Sequence, residues 1–208
     1  MNWMKAEKSS GRRLVDEKGR DIMVERGVIH GRFQVLHLKH MEYLLAAKMR
    51  CRILYIGITH PDIIFYPASS PRDIHGTIER DNPLTYIERY EIIRNGLLEF
   101  GVKREDFEII PFPVSRPETF LQYAPEDAVY YMSLCGEWDK EKYEILRSYG
   151  LKVEILWERY GEKKGITGAQ IREMIAENGD WKQYVPKAVA EYIESHGIVE
   201  RIRKLYYA

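Results

Sequence analysis

The chain has 208 residues, 45% of them hydrophobic, which is enough to bury a core and excludes wholesale disorder. Its 32 Lys and Arg balance 32 Asp and Glu. The net charge is therefore zero, and bulk nucleic-acid binding, which rewards a basic excess, is disfavoured.

Residues 1–25 are polar and charged and read as an N-terminal arm, with a short hairpin around 16–19. The first strong core signal is residues 27–33, GVIHGRF, a buried strand ending in a glycine turn. Residues 37–48 follow with Leu38, Met41, Leu44 and Leu45 at helical spacing. Residues 52–58, RILYIGI, are a strand, which completes a βαβ unit. Residues 59–83 are rich in Pro, Gly and Asp and long enough for a functional loop. The alternation then repeats: helix 86–100, strand 107–110, strand 128–133, helix 140–149, strand 152–156. From residue 168 to 208 the chain reads as helical, with Pro186 in a first turn. The fold class is thus α/β, a parallel sheet with helices on both faces and a helical C-terminal part.

Cys51 and Cys135 sit in strand-like runs without a CxxC or Cys/His cluster, which argues against a zinc site or a disulfide scaffold. No apolar run approaches the ~18 residues of a membrane span. The N-terminus lacks a signal peptide's apolar stretch, so a cytoplasmic protein with no membrane partner is expected.

The most informative segment is residues 31–40, GRFQVLHLKH. A strand ends at a turn carrying Gly31 and Arg32, and His37 and His40 follow on one face of a helix's first turn. Two imidazoles, a guanidinium and the free amides of a helix start surround an anion with donors, so phosphate binding is expected there. His30, between apolar neighbours, reads as a satisfied buried histidine. His60 and His75 read as solvated, as does the RIRK run at 201–204, while the aromatic tail could dock on a neighbour.

The run GRFQ-x-x-H-x-x-H resembles the GRFQPxHxGH signature of the HxGH nucleotidyltransferase superfamily, most of all archaeal-type nicotinamide-nucleotide adenylyltransferases. NPLTYIER at 82–89 is similar to that family's NPFTxxER, and GITGAQIR at 165–172 to its ISGTxIR. The resemblance covers residues 27–205, so 26–208 would be one nucleotidyltransferase domain. It implies a Rossmann-like fold and transfer of AMP from ATP to nicotinamide mononucleotide, giving NAD and pyrophosphate. Adenylyl or cytidylyl transfer to nicotinate mononucleotide or another phosphorylated small molecule is the alternative, and a non-catalytic nucleotide-binding module a third. Carried over, His37, His40 and Arg172 would be catalytic. Gly31, Arg32, Phe33, Gln34, Ile166, Thr167 and Gly168 would bind the nucleotide, with Gly31 letting its backbone come close. Arg89, Phe120 and Trp138 are weaker acceptor-site candidates, and Arg89 could instead form a structural ion pair. The partners implied are ATP and a phosphorylated acceptor, with Mg²⁺ held by the triphosphate rather than by a protein ligand set. A homo-oligomer is also implied. The sequence departs from the family at Lys39, where the motif has glycine, at Val35 and Ala169, and in SLCGEWD at 133–139.

Overall fold

In a computed structural model of the protein, the described residues are 23–62, 78–161 and 165–207. The expected hairpin at 16–19, His75 and most of the long loop lie outside them. Five strands form one parallel sheet in the order β3-β2-β1-β4-β5. They are β1 (Val24–Gly31), β2 (Cys51–Ile58), β3 (Phe107–Pro111), β4 (Val129–Leu134) and β5 (Lys152–Glu158). The helices are α1 (Leu38–Lys48), α2 (Tyr86–Glu99), the single turn α3 (Pro117–Phe120), α4 (Glu137–Ser148), α5 (Gly168–Ala176), α6 (Lys187–Ser195) and α7 (Ile198–Tyr207).

Alternation along the strands sends neighbouring side chains to opposite faces. Ile29 joins a core with Met41 and Leu44 of α1, Ile93 and Leu97 of α2, and residues of α5 to α7. Val28 joins a second core with Phe112, Phe120, Tyr130 and Leu146, covered by α3 and α4. Both faces are therefore covered, as a parallel sheet requires. No helix among the described residues is long and apolar enough to cross a membrane.

Two elements begin earlier than the sequence suggests. β1 starts at Val24 because it pairs with Cys51 of β2, a contact that hydropathy does not reveal. α4 starts at Glu137 rather than 140: Gly136 stands at its N-cap, and Glu137 and Asp139 suit the positive helix start. Within 201–204, Arg201 is not simply solvated. It forms two hydrogen bonds to the Glu88 carboxylate, at 2.6 and 2.8 Å.

The site is prepared by a parting of strands. β1 pairs with β4 only at Gly27–Val129 and Val28–Tyr130, although both strands run on. The Tyr43 hydroxyl donates to the Tyr131 carbonyl at 2.6 Å, satisfying an acceptor that the sheet releases. Beyond that point the carboxyl ends of β1 and β4 line a cavity. The chain order reverses between these two strands, which is where open α/β sheets bind ligands.

Candidate active site

The cavity has a volume of about 700 Å³. Its walls come from the 31–40 turn, the start of α1, the start of α5, and the segment from β4 into α4. Arg32, Phe33, Gln34, His37, His40, Ile166, Thr167 and Gly168, all expected at the nucleotide, line it together. Trp138 lines it as well.

The local sequence dictates how the imidazoles are held. His37 is the N-cap of α1, and its Nδ1 accepts the His40 backbone N–H at 3.3 Å. A backbone amide only donates, so the proton of a neutral His37 must sit on Nε2. The rings of His37 and His40 stack with centroids 3.7 Å apart. Burial pushes the His37 pKa down to about 3. For His40, burial first, and then the neighbouring His37 and Arg32, hold it well below the usual histidine range. Both rings are thus neutral donors near pH 7. His40 Nδ1 is buried and has no partner.

Phe33 explains Gly31. Phe33 has φ +54°, a left-handed conformation that is uncommon for a bulky residue. Its ring folds back so far that a Cβ on Gly31 would lie 2.9 Å from it. Gly31, which also lines the cavity, therefore makes room for the Phe33 ring. The ring's edge then meets His40, centroids 5.1 Å apart.

The turn is held from beneath by polar groups. Gln34 is buried and grips the Leu84 backbone at both ends, donating to its carbonyl at 2.9 Å and accepting its N–H at 2.8 Å. Its side chain thus serves the protein, while its backbone borders the cavity. Gly168 lets α5 close on the turn, since a Cβ there would lie 2.6 Å from the Gln34 carbonyl oxygen. Thr167 caps α5 in a capping box with Gln170, as its place in the motif suggests.

Three expected site residues stand elsewhere. Arg172 is 1% exposed, donates to the Gln34 carbonyl, and pairs with Asp81 at 2.7 Å. It supports the turn rather than facing the cavity, because burial forces a guanidinium onto a carboxylate and carbonyls. Arg89, also 1% exposed, donates to the carbonyls of Thr59 (2.7 Å), His60 (2.7 Å), Arg32 (3.2 Å) and Thr85 (3.3 Å). It is a staple of backbone, neither an acceptor ligand nor an ion pair. Phe120 is fully buried and stacks on Phe112, so it belongs to the second core.

Lys39, in place of the motif glycine, lines the cavity with a partly exposed side chain and bonds Glu42 at 3.0 Å. Its stem lies over Gly165, whose φ is +69°. Arg159 holds the same Glu42 through two bonds of 2.9 and 2.7 Å and covers the Trp157 ring. Sequence reading missed Asp81, Lys142, Trp157 and Arg159. Asp81, Trp157 and Arg159 join the site through contacts distant in sequence, with Arg172, Tyr43 and Glu42, and Lys142 through the packing of α4 on the cavity.

A phosphonoformate cytidylyltransferase from Streptomyces viridochromogenes is 43% identical to this chain over 177 residues, which are 85% of this chain and 95% of that protein. The chain belongs to the HxGH nucleotidyltransferase superfamily. No protein-family model matches it. A nicotinamide-nucleotide adenylyltransferase from Pyrococcus furiosus is 29% identical over 184 residues, 88% of this nucleotidyltransferase and 89% of the relative. A bifunctional NMN adenylyltransferase/ADP ribose pyrophosphatase from Francisella tularensis superposes with a TM-score of 0.60 at 15% identity. It is matched over 89% of this chain and 54% of its own length, so the nucleotidyltransferase spans about half of it. A putative nicotinate-nucleotide adenylyltransferase from Vibrio parahaemolyticus gives 0.54 at 12% identity, covering 85% and 96% of the two chains. These two structures share the Rossmann-like fold.

Proposed function

We propose that this nucleotidyltransferase moves a cytidylyl group from CTP to a phosphonate or phosphate oxygen of a small acid and releases pyrophosphate. The observation that carries nucleotidyl transfer is the stacked pair of neutral imidazoles at the α1 start, facing the capped start of α5 across one cavity. The extended likeness to the phosphonoformate enzyme favours CTP and a phosphonate, with phosphonoformate as the first acceptor to test.

In this reading an acceptor oxygen attacks the α-phosphorus in line. The bond from that phosphorus to the β-bridging oxygen breaks, and its electron pair leaves with pyrophosphate. An ionised phosphonate needs no general base, so the protein's work is positioning and charge stabilisation. The Nε2–H of His37, the His40 ring and Arg32 would bond the oxygens on which charge builds. The backbone amides opening α5 would take the terminal phosphates. Arg172 and Gln34 fix the turn that carries these groups. A divalent cation would neutralise the triphosphate. Its ligands would be phosphate oxygens and water.

A second reading, AMP transfer from ATP to nicotinamide mononucleotide, has the support of the Pyrococcus likeness and of the three motifs. Pyrophosphate release, measured with CTP and ATP against phosphonoformate and nicotinamide mononucleotide, separates the two. CTP with phosphonoformate is the productive pair expected. Turnover only with ATP and the mononucleotide transfers the assignment to the second reading, and nucleotide binding without release in any combination leaves a non-catalytic module.

A further inference from the structure

One wall of the cavity carries polar groups that the transfer chemistry does not use. His30 precedes Gly31 on β1, is 6% exposed, and lines the cavity with its ring stacked on Phe112, centroids 4.9 Å apart. Its Nδ1 is buried without a hydrogen-bond partner, contrary to the sequence reading of a satisfied histidine. An unmet buried polar atom costs about 1–3 kcal/mol, so it calls for an explanation. Lys142 of α4 lines the same wall with a side chain only 14% exposed. Its Nζ lies 2.8 Å from Asp139 Oδ1, while Asp139 Oδ2 accepts the Cys135 N–H at 2.9 Å. An ammonium has three donors, and the Asp139 contact uses one. Burial pushes the His30 pKa down to about 3, and the Lys142 and Asp139 charges act on it in opposite directions. His30 is therefore a neutral ring near the partly buried Lys142 side chain.

We propose that His30 and Lys142 form the specificity end of the acceptor site and receive a carboxylate at the non-reacting end of the small acid. This rests on the functional reading above. A carboxylate only accepts, and it finds an imidazole N–H and unused ammonium donors on this wall. An apolar end would leave the His30 nitrogen and the remaining Lys142 donors unmet. Asp139 is a positioning residue: it holds Lys142 in place and compensates its charge when the cavity is empty.

The test uses the full chain and its His30→Phe, His30→Gln and Lys142→Met variants. Pyrophosphate release with CTP is measured against phosphonoformate, its carboxamide and methylphosphonate, and CTP affinity is measured by calorimetry on each protein. Phenylalanine keeps the stack on Phe112 but cannot donate. For His30→Phe and Lys142→Met, kcat/KM with phosphonoformate is expected to fall by about 10- to 100-fold, the scale of a hydrogen bond to a charged group. Methylphosphonate should change by no more than about threefold, with CTP affinity kept, and His30→Gln should restore part of the loss. Should His30→Phe fail to fold, as lost CTP binding would reveal, Lys142→Met and His30→Gln decide. An unchanged preference for phosphonoformate over methylphosphonate in variants that bind CTP overturns the inference, as does a wild-type preference for the carboxamide. Failure of the functional reading looks different: the wild type releases pyrophosphate with none of the three acceptors, and the inference falls with it.

Discussion

His30, His37 and His40 are all held neutral by burial, and this gives the protein a pH signature. An unfolded imidazole takes up a proton near pH 6.5, whereas folded His30 and His37 resist it down to about 3. Between those values the unfolded chain binds more protons, so stability is full above pH 6.5 and falls as the pH drops. The depressed Glu42 carboxyl, at about 2 because of its bond to Arg159 and despite partial desolvation, adds to the loss only below the ordinary carboxylate range. The histidines therefore dominate from pH 6.5 to 5. The urea midpoint should fall over that interval, and His30→Phe should fall less steeply, by up to ~1.4 kcal/mol per pH unit for one proton. Equal slopes would contradict the burial of a neutral His30. At this scale the sequence made the imidazole pair and the glycine turn legible, because motif spacing fixes their neighbours. It could not show that Gly31 yields its space to Phe33, since a left-handed Phe leaves no composition signal.

At the level of elements, buried arginines bind loops to helices. Arg89 of α2 carries the carbonyls that follow β1 and β2, and burial lowers its pKa to about 10. Arg89→Met would strip partners from several buried carbonyls, with a loss of about 3 kcal/mol or more of unfolding free energy in a denaturant titration. A loss below 1 kcal/mol would mean that water replaces the guanidinium. Asp81→Asn removes the charge that faces Arg172 and should cost about 3–5 kcal/mol, the usual effect of breaking a buried pair. It should also lower kcat, because Arg172 holds the Gln34 carbonyl under the turn. Strands and helices were readable from periodicity, and their boundaries were off by up to three residues where caps or strand partners decide them. The Asp81–Arg172 pair joins positions 91 apart in the chain, so no local pattern announces it.

Across the whole molecule, the order β3-β2-β1-β4-β5 makes β1 and β4 neighbours that leave in opposite directions, and their separation after Val28 opens the cavity. Alternating strands and helices told of a parallel sheet, but not of the two-residue pairing of β1 with β4 that creates the site. A ligand seated there binds only the folded chain, so CTP at a hundred times its Kd should add about 2.7 kcal/mol and raise Tm by roughly 5–10 °C. No shift with CTP or ATP, in thermal unfolding at saturating nucleotide, would show that the cavity is not a triphosphate site. In the proposed transfer the imidazole pair stabilises the charge that builds on the phosphates. The most direct test of this role is kcat for pyrophosphate release by His40→Ala at saturating CTP and acceptor, read beside the calorimetric Kd for CTP on the same protein. A fall in kcat of about 10²–10³ with Kd within a few-fold is expected. Near-normal kcat in the variant would contradict it.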